Sequence, residues 1–264
     1  MTEAQQHIVL ETKNLSVGYT SKKGANVIAN SINISLHKGQ LVGLVGANGI
    51  GKSTLLRTLT TVQKPLQGDI YINSKSIMEY TTVELAKQLS LVLTEQIASK
   101  NLSVFELVAL GRQPYTNWVG NLSDTDLEII EQAFQYTNIS ALRDKKCYAL
   151  SDGQLQKVMI ARALAQDTDL IILDEPTTHL DMYHKAYILK LLQKLAKETG
   201  KTILFSSHEI DLAIQLCDAM IVMSSTEVIS GTPCQLISNG TFNTLFPEDL
   251  IAFDQTTGRF TVNK

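Results

Sequence analysis

Cysteine is scarce in this chain. Its 264 residues hold three, Cys147, Cys217 and Cys234, far apart and without C-x-x-C spacing. An odd, scattered set excludes a disulfide framework and a thiolate zinc site, and predicts reduced thiols of a cytosolic protein. A surplus of one charge is lacking as well. The formal net charge is −3 and no block of like charges occurs, so nothing points to a nucleic-acid or anionic-lipid surface. No apolar run approaches the ~20 residues that span a bilayer. Residues 1–6 are polar and acidic, unlike a secretory signal. Any work at a membrane is therefore expected to go through a partner. Internal repeats, low-complexity tracts and linkers are also missing. What is present is 44% hydrophobic and 19% charged, the balance of a globular protein. The length suits one large α/β domain or a core with a subdomain.

One stretch organises the rest. In residues 43–56, GLVGANGIGKSTLL, the residues Gly46, Gly51, Lys52 and Ser53 satisfy the phosphate-loop pattern G-x-x-x-x-G-K-[ST]. A short apolar strand (41–45) leads in, and residues 53–61 follow with Leu55, Leu56 and Leu59 at helical spacing. Glycines let the backbone N–H groups of Gly46, Ala47, Asn48, Gly49, Ile50 and Gly51 close around phosphate oxygens. The helix start, through Thr54, adds unpaired donors and the positive end of its dipole. Lys52 is expected to reach the terminal phosphates, and the Ser53 hydroxyl to ligate Mg²⁺. A glycine-rich turn before a helix is the bland alternative; the strand and helix flanks weigh against it.

Around this stretch the chain alternates. Residues 7–19 predict a strand ending at a Gly-Tyr turn, and 27–36 a second, with Ile28, Ile32, Ile34 and Leu36 at period two. These are expected as antiparallel strands beside the core. Further strands are predicted at 69–72, 89–93, 169–173 and 202–206, with hairpins at 222–231 and 251–262. Helix starts are marked by Thr81-x-x-Glu84, Ser103-x-x-Glu106, Ser123-Asp124 and Ser151-x-x-Gln154, by residue 182 with a stop at Gly200, and by Thr232-Pro233. Strands alternating with helices imply a mostly parallel sheet with right-handed crossovers. The expected fold class is α/β: a phosphate-loop NTPase core with a mostly parallel sheet, an antiparallel β subdomain and an inserted helical subdomain. Within a single 1–264 domain, the core takes 1–96 and 166–231, the helical subdomain 97–165, and a C-terminal extension 232–264.

Chemistry collects at predicted strand ends, where ligands bind in doubly wound sheets. The strand 170–173 ends in Asp174 and Glu175; the first suits Mg²⁺, the second the polarising of an attacking water. Asp-Glu after an apolar strand is also a plain turn signal, and the phosphate loop upstream tips the balance to function. His208 follows another strand and is placed to reach a γ-phosphate, although a lone histidine is more often structural. Gln96 follows the strand 89–93, where an amide can ligate Mg²⁺ or its water. Tyr19 could stack on adenine or lie in the core. Ser151, Asp152, Gly153 and Gln154 form a second helix start able to bind an anion. Nothing in this chain leaves it a separate phosphate, which is resolved if it meets the nucleotide of a second copy.

GANGIGKST, the Gln96 loop, LSDGQ, LIILDEP, the THLD loop at Thr178 to Asp181, and SSHE at Ser206 to Glu209 occur in that order. Over nearly all of the chain to about Gly231, this set resembles the ATP-binding subunits of ABC transporters. The resemblance implies a head-to-tail homodimer, with two ATP molecules between the phosphate loop of one subunit and the LSDGQ segment of the other. It implies Glu175 as general base and His208 as γ-phosphate sensor, with Gln96 completing the catalytic set. ATP is contacted by Tyr19 and residues 46–54, and from the partner by Ser151, Gly153 and Gln154. Asp181 makes a cross-dimer contact, and Ser53, Gln96 and Asp174 hold Mg²⁺. The family usually has LSGGQ; here Asp152 replaces the first glycine of the pair. Residues 101–118, NLSVFELVALGRQPYTNW, are similar to those of importer ATPases for iron–siderophore, haem and cobalamin complexes. In that family the region docks the permease, and Tyr115 and Trp118 are candidate docking residues, or core.

The implied function is an ATP-hydrolysing subunit on the cytoplasmic face of the cell membrane. Its expected partners are a permease and, indirectly, a substrate-binding protein, with no nucleic acid. Another importer or exporter fits the same core. A soluble ABC-type ATPase acting on DNA or ribosomes would usually carry a long coiled-coil insertion or two nucleotide domains, and neither is here. Glu175 and His208 argue against a scaffold that binds ATP without turnover.

Overall fold

The computed structural model describes residues 7–21, 24–93, 101–117, 120–246 and 249–263. The chain opens on β1 (Ile8–Ser21), β2 (Gly24–Ile32) and β3 (Ser35–His37), then enters the core with β4 (Leu41–Gly46) and α1 (Lys52–Leu59). Next come β5 (Gln67–Ile72), β6 (Lys75–Ser76), α2 (Thr82–Ala86) and β7 (Leu89–Val92). The helices α3 (Val104–Ala109), α4 (Asp124–Thr137) and α5 (Asp152–Ala165) precede β8 (Leu170–Leu173). The rest is α6 (Met182–Thr199), β9 (Thr202–Ser207), α7 (Ile210–Leu216), β10 (Ala219–Met223), β11 (Val228–Gly231), α8 (Pro233–Ser238) and a hairpin of β12 (Ile251–Asp254) and β13 (Arg259–Val262).

The central sheet has the order β11-β10-β4-β9-β8-β7. Its pairs are parallel except at the β10–β11 edge. A second, antiparallel sheet joins β2, β1, β5 and β6, with β3 also paired to β1. The expected α/β class, with an antiparallel sheet beside a mostly parallel one, agrees with this. The core strands read as unbroken apolar runs because each feeds two cores. Along β4, Leu41 and Val45 enter the core shared with α3 to α7, while Val42 and Leu44 face α1 and the antiparallel sheet. β8 repeats the alternation, Ile171 and Leu173 to one side, Leu170 and Ile172 to the other.

Helix starts follow their caps. Thr81, Ser103, Ser123, Ser151 and Thr232 each accept a hydrogen bond from the backbone three residues on, and that residue's side chain returns one. Gly200 ends α6 in the left-handed conformation. In the helical segment between β7 and β8, a buried ion pair, Arg112 Nε to Asp126 Oδ1 at 2.8 Å, ties the turn after α3 to α4. The same guanidinium reaches the carbonyl of Ala165 at the end of α5.

Three predicted boundaries differ. The first strand does not turn at Gly18-Tyr19 but runs to Ser21, and Gly18 serves a close approach: a β-carbon there would sit 2.1 Å from the Asn26 carbonyl oxygen of β2. The single strand expected over 27–36 is two, broken at Asn33 and Ile34. The hairpin expected over 222–231 is the end of a longer story: α7 was not foreseen, and β10 begins at Ala219 as a parallel partner of β4.

Candidate functional site

Three adjacent strands of the central sheet, β4, β9 and β8, end on the same edge and deliver the loop 46–52, His208, and Asp174 with Glu175. They meet at a cavity of about 490 Å³ lined by Tyr19, Ile28, Asn48, Gly49, Gly51, Lys52, Ser53, Thr54, Glu175 and His208.

The loop closes because Gly51 takes φ 111° at the N-cap of α1, a conformation other residues avoid. A β-carbon there would also strike Ile28 of β2, 2.3 Å away. No side chain caps α1, so its first N–H groups point into the cavity mouth. Lys52 is only 5% exposed and its ammonium donates to the carbonyls of Gly46 (3.0 Å) and Ala47 (3.2 Å). Burial lowers its pKa, partly offset by the charges of Glu175 and Asp174. Ile50 contributes backbone alone, its side chain packing toward the core between the two sheets. Thr54 binds the Tyr19 hydroxyl at 2.9 Å. Tyr19 itself is 48% exposed on the cavity wall, which removes the alternative of a core aromatic.

On the opposite wall, Ser53 Oγ donates to Asp174 Oδ1 at 3.1 Å. Two adjacent oxygens, that of Ser53 lining the cavity and that of Asp174 buried behind it, suit a hard cation such as Mg²⁺, which takes one or two protein oxygens beside phosphate and water. Gln96, the third expected ligand, lies outside the described residues. Among the described residues no group of three acidic, histidine or cysteine side chains could hold a metal unaided.

Glu175 sits at φ 50°, an uncommon conformation for a side-chain-bearing residue. It is fixed there by its N–H bond to Ser206 Oγ (2.8 Å) and by the Thr178 hydroxyl, which donates to Oε2 (3.0 Å). His208 Nε2 lies 2.6 Å from Oε1, and Lys52 Nζ lies 3.4 Å from His208 Nδ1. A lysine only donates, so Nδ1 accepts and Nε2–H is given to the carboxylate. Burial raises the pKa of Glu175, but the bonds from His208 and Thr178 and the charge of Lys52 outweigh it and hold the carboxyl below its usual range. Ser206 and Thr178 were not singled out from the sequence. Ser206 lies near the end of β9, where the apolar run gives way to serine; its hydroxyl donates to Asp174 Oδ1 (2.7 Å) while accepting from the Glu175 N–H, and so ties the Asp174 carboxylate to the Glu175 backbone.

The second predicted anion site lies elsewhere on the surface. Ser151 Oγ accepts from Gln154 N (3.3 Å) and the Gln154 side chain accepts from Ser151 N (3.2 Å). Ser151 and Asp152 are exposed, and neither lines the cavity. Asp181, the N-cap of α6, is exposed too, and bonds from the His184 backbone and then its ring lower its pKa. Tyr115 lies at the surface but is held there: the Arg112 guanidinium stacks 3.9 Å from its ring centre, the Lys87 ammonium sits over the ring at 5.1 Å, and its hydroxyl faces the Asp167 carbonyl. Trp118 lies outside the described residues.

A family model described as ABC transporter matches residues 29–178. The iron(3+)-hydroxamate import ATP-binding protein FhuC of Bacillus subtilis (strain 168) is 39% identical over 241 residues, 91% of this chain and 88% of that protein. Among solved structures, a metal-chelate type ABC transporter in an inward-facing conformation superposes with a TM-score of 0.78 at 27% identity, covering 96% of this chain and 95% of the other. A bacterial ABC transporter cassette solved as a dimer gives 0.72 at 26% identity, over 85% and 98% of the two chains.

Proposed function

The chain belongs to the ABC transporter family of ATP-binding subunits, and from that premise we propose that it hydrolyses ATP to drive import of an iron–siderophore or related metal chelate. The observation that carries the hydrolytic part is the meeting of Lys52, Glu175 and His208 around one anion-sized cavity. Import of a chelate is supported by the likeness to the hydroxamate import subunit and to the metal-chelate type transporter.

In this reading ATP lies with its adenine against Tyr19 and its phosphates in the loop 46–54. Lys52 exchanges its carbonyl partners for β- and γ-phosphate oxygens. Ser53 and Asp174 would hold Mg²⁺, with Gln96 as the third expected ligand; when bound, the ion would supply positive charge beside the phosphates. Glu175 takes a proton from water as the water oxygen bonds to the γ-phosphorus and the bond to the ADP oxygen breaks. Its lowered pKa keeps it ionised and ready at neutral pH. Nε2–H of His208, freed from Glu175, turns to the γ-phosphate. The subunit works as a head-to-tail pair, Ser151, Gly153 and Gln154 of each copy closing the cavity of the other, with Asp181 at the seam. The pair sits on a permease at the cytoplasmic face of the membrane, Tyr115 and Trp118 beside the docking surface, and a substrate-binding protein delivers the cargo. Among the described residues no helix is long and apolar enough to cross a membrane.

The test is reconstitution of the chain with its membrane partner, followed by ATPase measurement with binding proteins loaded with different ligands. Stimulation by a ferric-siderophore-loaded protein is expected. Stimulation only by a sugar- or amino-acid-loaded protein would overturn the cargo class.

A further inference from the structure

The first turn of α6 grips two loops that the proposed mechanism keeps apart. Asp181 caps the helix by accepting from the backbone of His184 at 2.9 Å. The His184 ring adds a second tie, with Nδ1 2.9 Å from both Asp181 oxygens, and meets Tyr183 edge-on at 5.4 Å. Held this way, the ring lies over Gly153, where a β-carbon would come within 3.1 Å of its Cδ2. A side chain at 153 would press on the His184 ring, whereas Asp152 beside it is exposed. The next residue, Lys185, lies about 100° round the helix. It ion-pairs with Glu209, both side chains about a quarter exposed. Glu209 follows His208, and its N–H is tied to Ser207 Oγ at 2.9 Å.

We propose that His184 and Lys185 are positioning residues that join the two ATP sites of the dimer through this single turn. The proposal rests on the paired-subunit reading above. Gly153 faces the partner's ATP, whereas His208 faces the subunit's own. A shift of the Ser151–Gly153 segment as it meets the partner's γ-phosphate displaces the His184 ring and, through the turn, Lys185, Glu209 and the backbone carrying His208. Helix capping does not account for these contacts: a cap needs only the backbone bond to Asp181. The ring's second tie, its seat on Gly153 and the Lys185 pair all lie beyond it.

The experiment compares His184→Ala, Lys185→Ala and the double variant in the full chain. Turnover at saturating ATP, its Hill coefficient, ATP affinity of the separated subunit and thermal midpoint are measured for each. Each single variant is expected to lower kcat about tenfold, and the double no further than the worse single, because residues acting through one connection are not additive. The Hill coefficient should fall toward one, with subunit ATP affinity and thermal midpoint unchanged. His184→Asn should recover most of the loss, its Nδ2 standing where the imidazole Nδ1 stood. Losses that multiply in the double variant, a kcat that does not change, or a kcat that falls only in step with the thermal midpoint would each overturn the link. Wild-type protein that hydrolyses ATP cooperatively yet never pairs would overturn the dimer reading, and the link with it.

Discussion

Two helix starts in this molecule look alike in sequence and behave differently in structure. That of α1 follows Gly51, has no side-chain cap, and opens into a cavity walled by Lys52, Glu175 and His208. That of α5 follows Ser151, is closed by its own Ser151–Gln154 box, and stands exposed without a cation in its loop. Both offer backbone donors and a positive dipole end. Only the first is equipped for chemistry within one chain. In the proposed reading the second is half of a site, so that catalysis belongs to the first region and closure to the second.

The comparison breaks most visibly at Glu175. Glu175→Gln keeps the shape and the ability to accept from Thr178, but the amide cannot take a proton from water, so turnover should fall by ~10²–10⁴-fold. ATP binding should survive, and the variant should sediment as an ATP-bound dimer. The pH profile sharpens the point. Glu175 has a folded pKa below its ordinary value, so the hydrogen bonds it accepts from His208 and Thr178 stabilise the fold above that ordinary value, and their contribution is lost as pH falls through the lowered one. The acid limb of hydrolysis assigned to Glu175 is therefore expected below about pH 4.3. Near-normal turnover in the glutamine variant would take catalysis away from this region.

Lys52→Ala comes next. It removes the ammonium that reaches the loop carbonyls from within the cavity, and with it charge-assisted bonds worth about 1.5–3 kcal/mol each. ATP affinity measured by fluorescence titration should weaken by about a hundredfold, ~2.7 kcal/mol. An unchanged dissociation constant would make the α1 start no better an anion site than that of α5.

At the α5 start, Ser151→Ala removes a cap and a phosphate donor together. Cap loss alone costs about 1 kcal/mol. ATP-driven dimerisation should loosen about tenfold, or ~1.4 kcal/mol, while ATP affinity of the separated subunit stays the same. A fall in subunit affinity would show that the two regions are not independent.

The difference between the regions was partly legible beforehand. Glycine and lysine spacing marked the loop, and apolar runs placed Asp174 and His208 at strand ends, because both signals are local. The self-capped state of Ser151 was equally readable from S-x-x-Q, whereas its exposure was not. What the sequence hid was long-range: that Ser206 bonds Asp174 and meets the backbone of Glu175, that Ile28 crosses from the antiparallel sheet to the mouth of the loop, and that His184 covers Gly153. Each depends on how elements pack. No local pattern encodes it. Gly18 shows the same limit from the other side, a glycine that looked like a turn and instead admits the neighbouring strand.

The smallest effect is expected at Asp152, where two terms oppose each other. A carboxylate in the first turn of α5 gains ~0.3–1 kcal/mol from the helix dipole. The same charge faces the partner's γ-phosphate in the closed pair. At ~8 Å and an effective dielectric of ~20, the repulsion is ~2 kcal/mol per unit of phosphate charge before screening. The structure leaves Asp152 exposed, so its side chain can point to solvent while the backbone and Ser151 meet the phosphate. Gly153, by contrast, packs under the His184 ring. Asp152→Gly is therefore expected to tighten ATP-driven dimerisation, more at low salt than at high, because a Debye length of ~10 Å at 0.1 M already screens part of the repulsion. Turnover should change by less than tenfold, or ~1.4 kcal/mol. A hundredfold loss of hydrolysis would mean that the carboxylate acts in the chemistry, and that the α5 start is a catalytic region rather than a closing one.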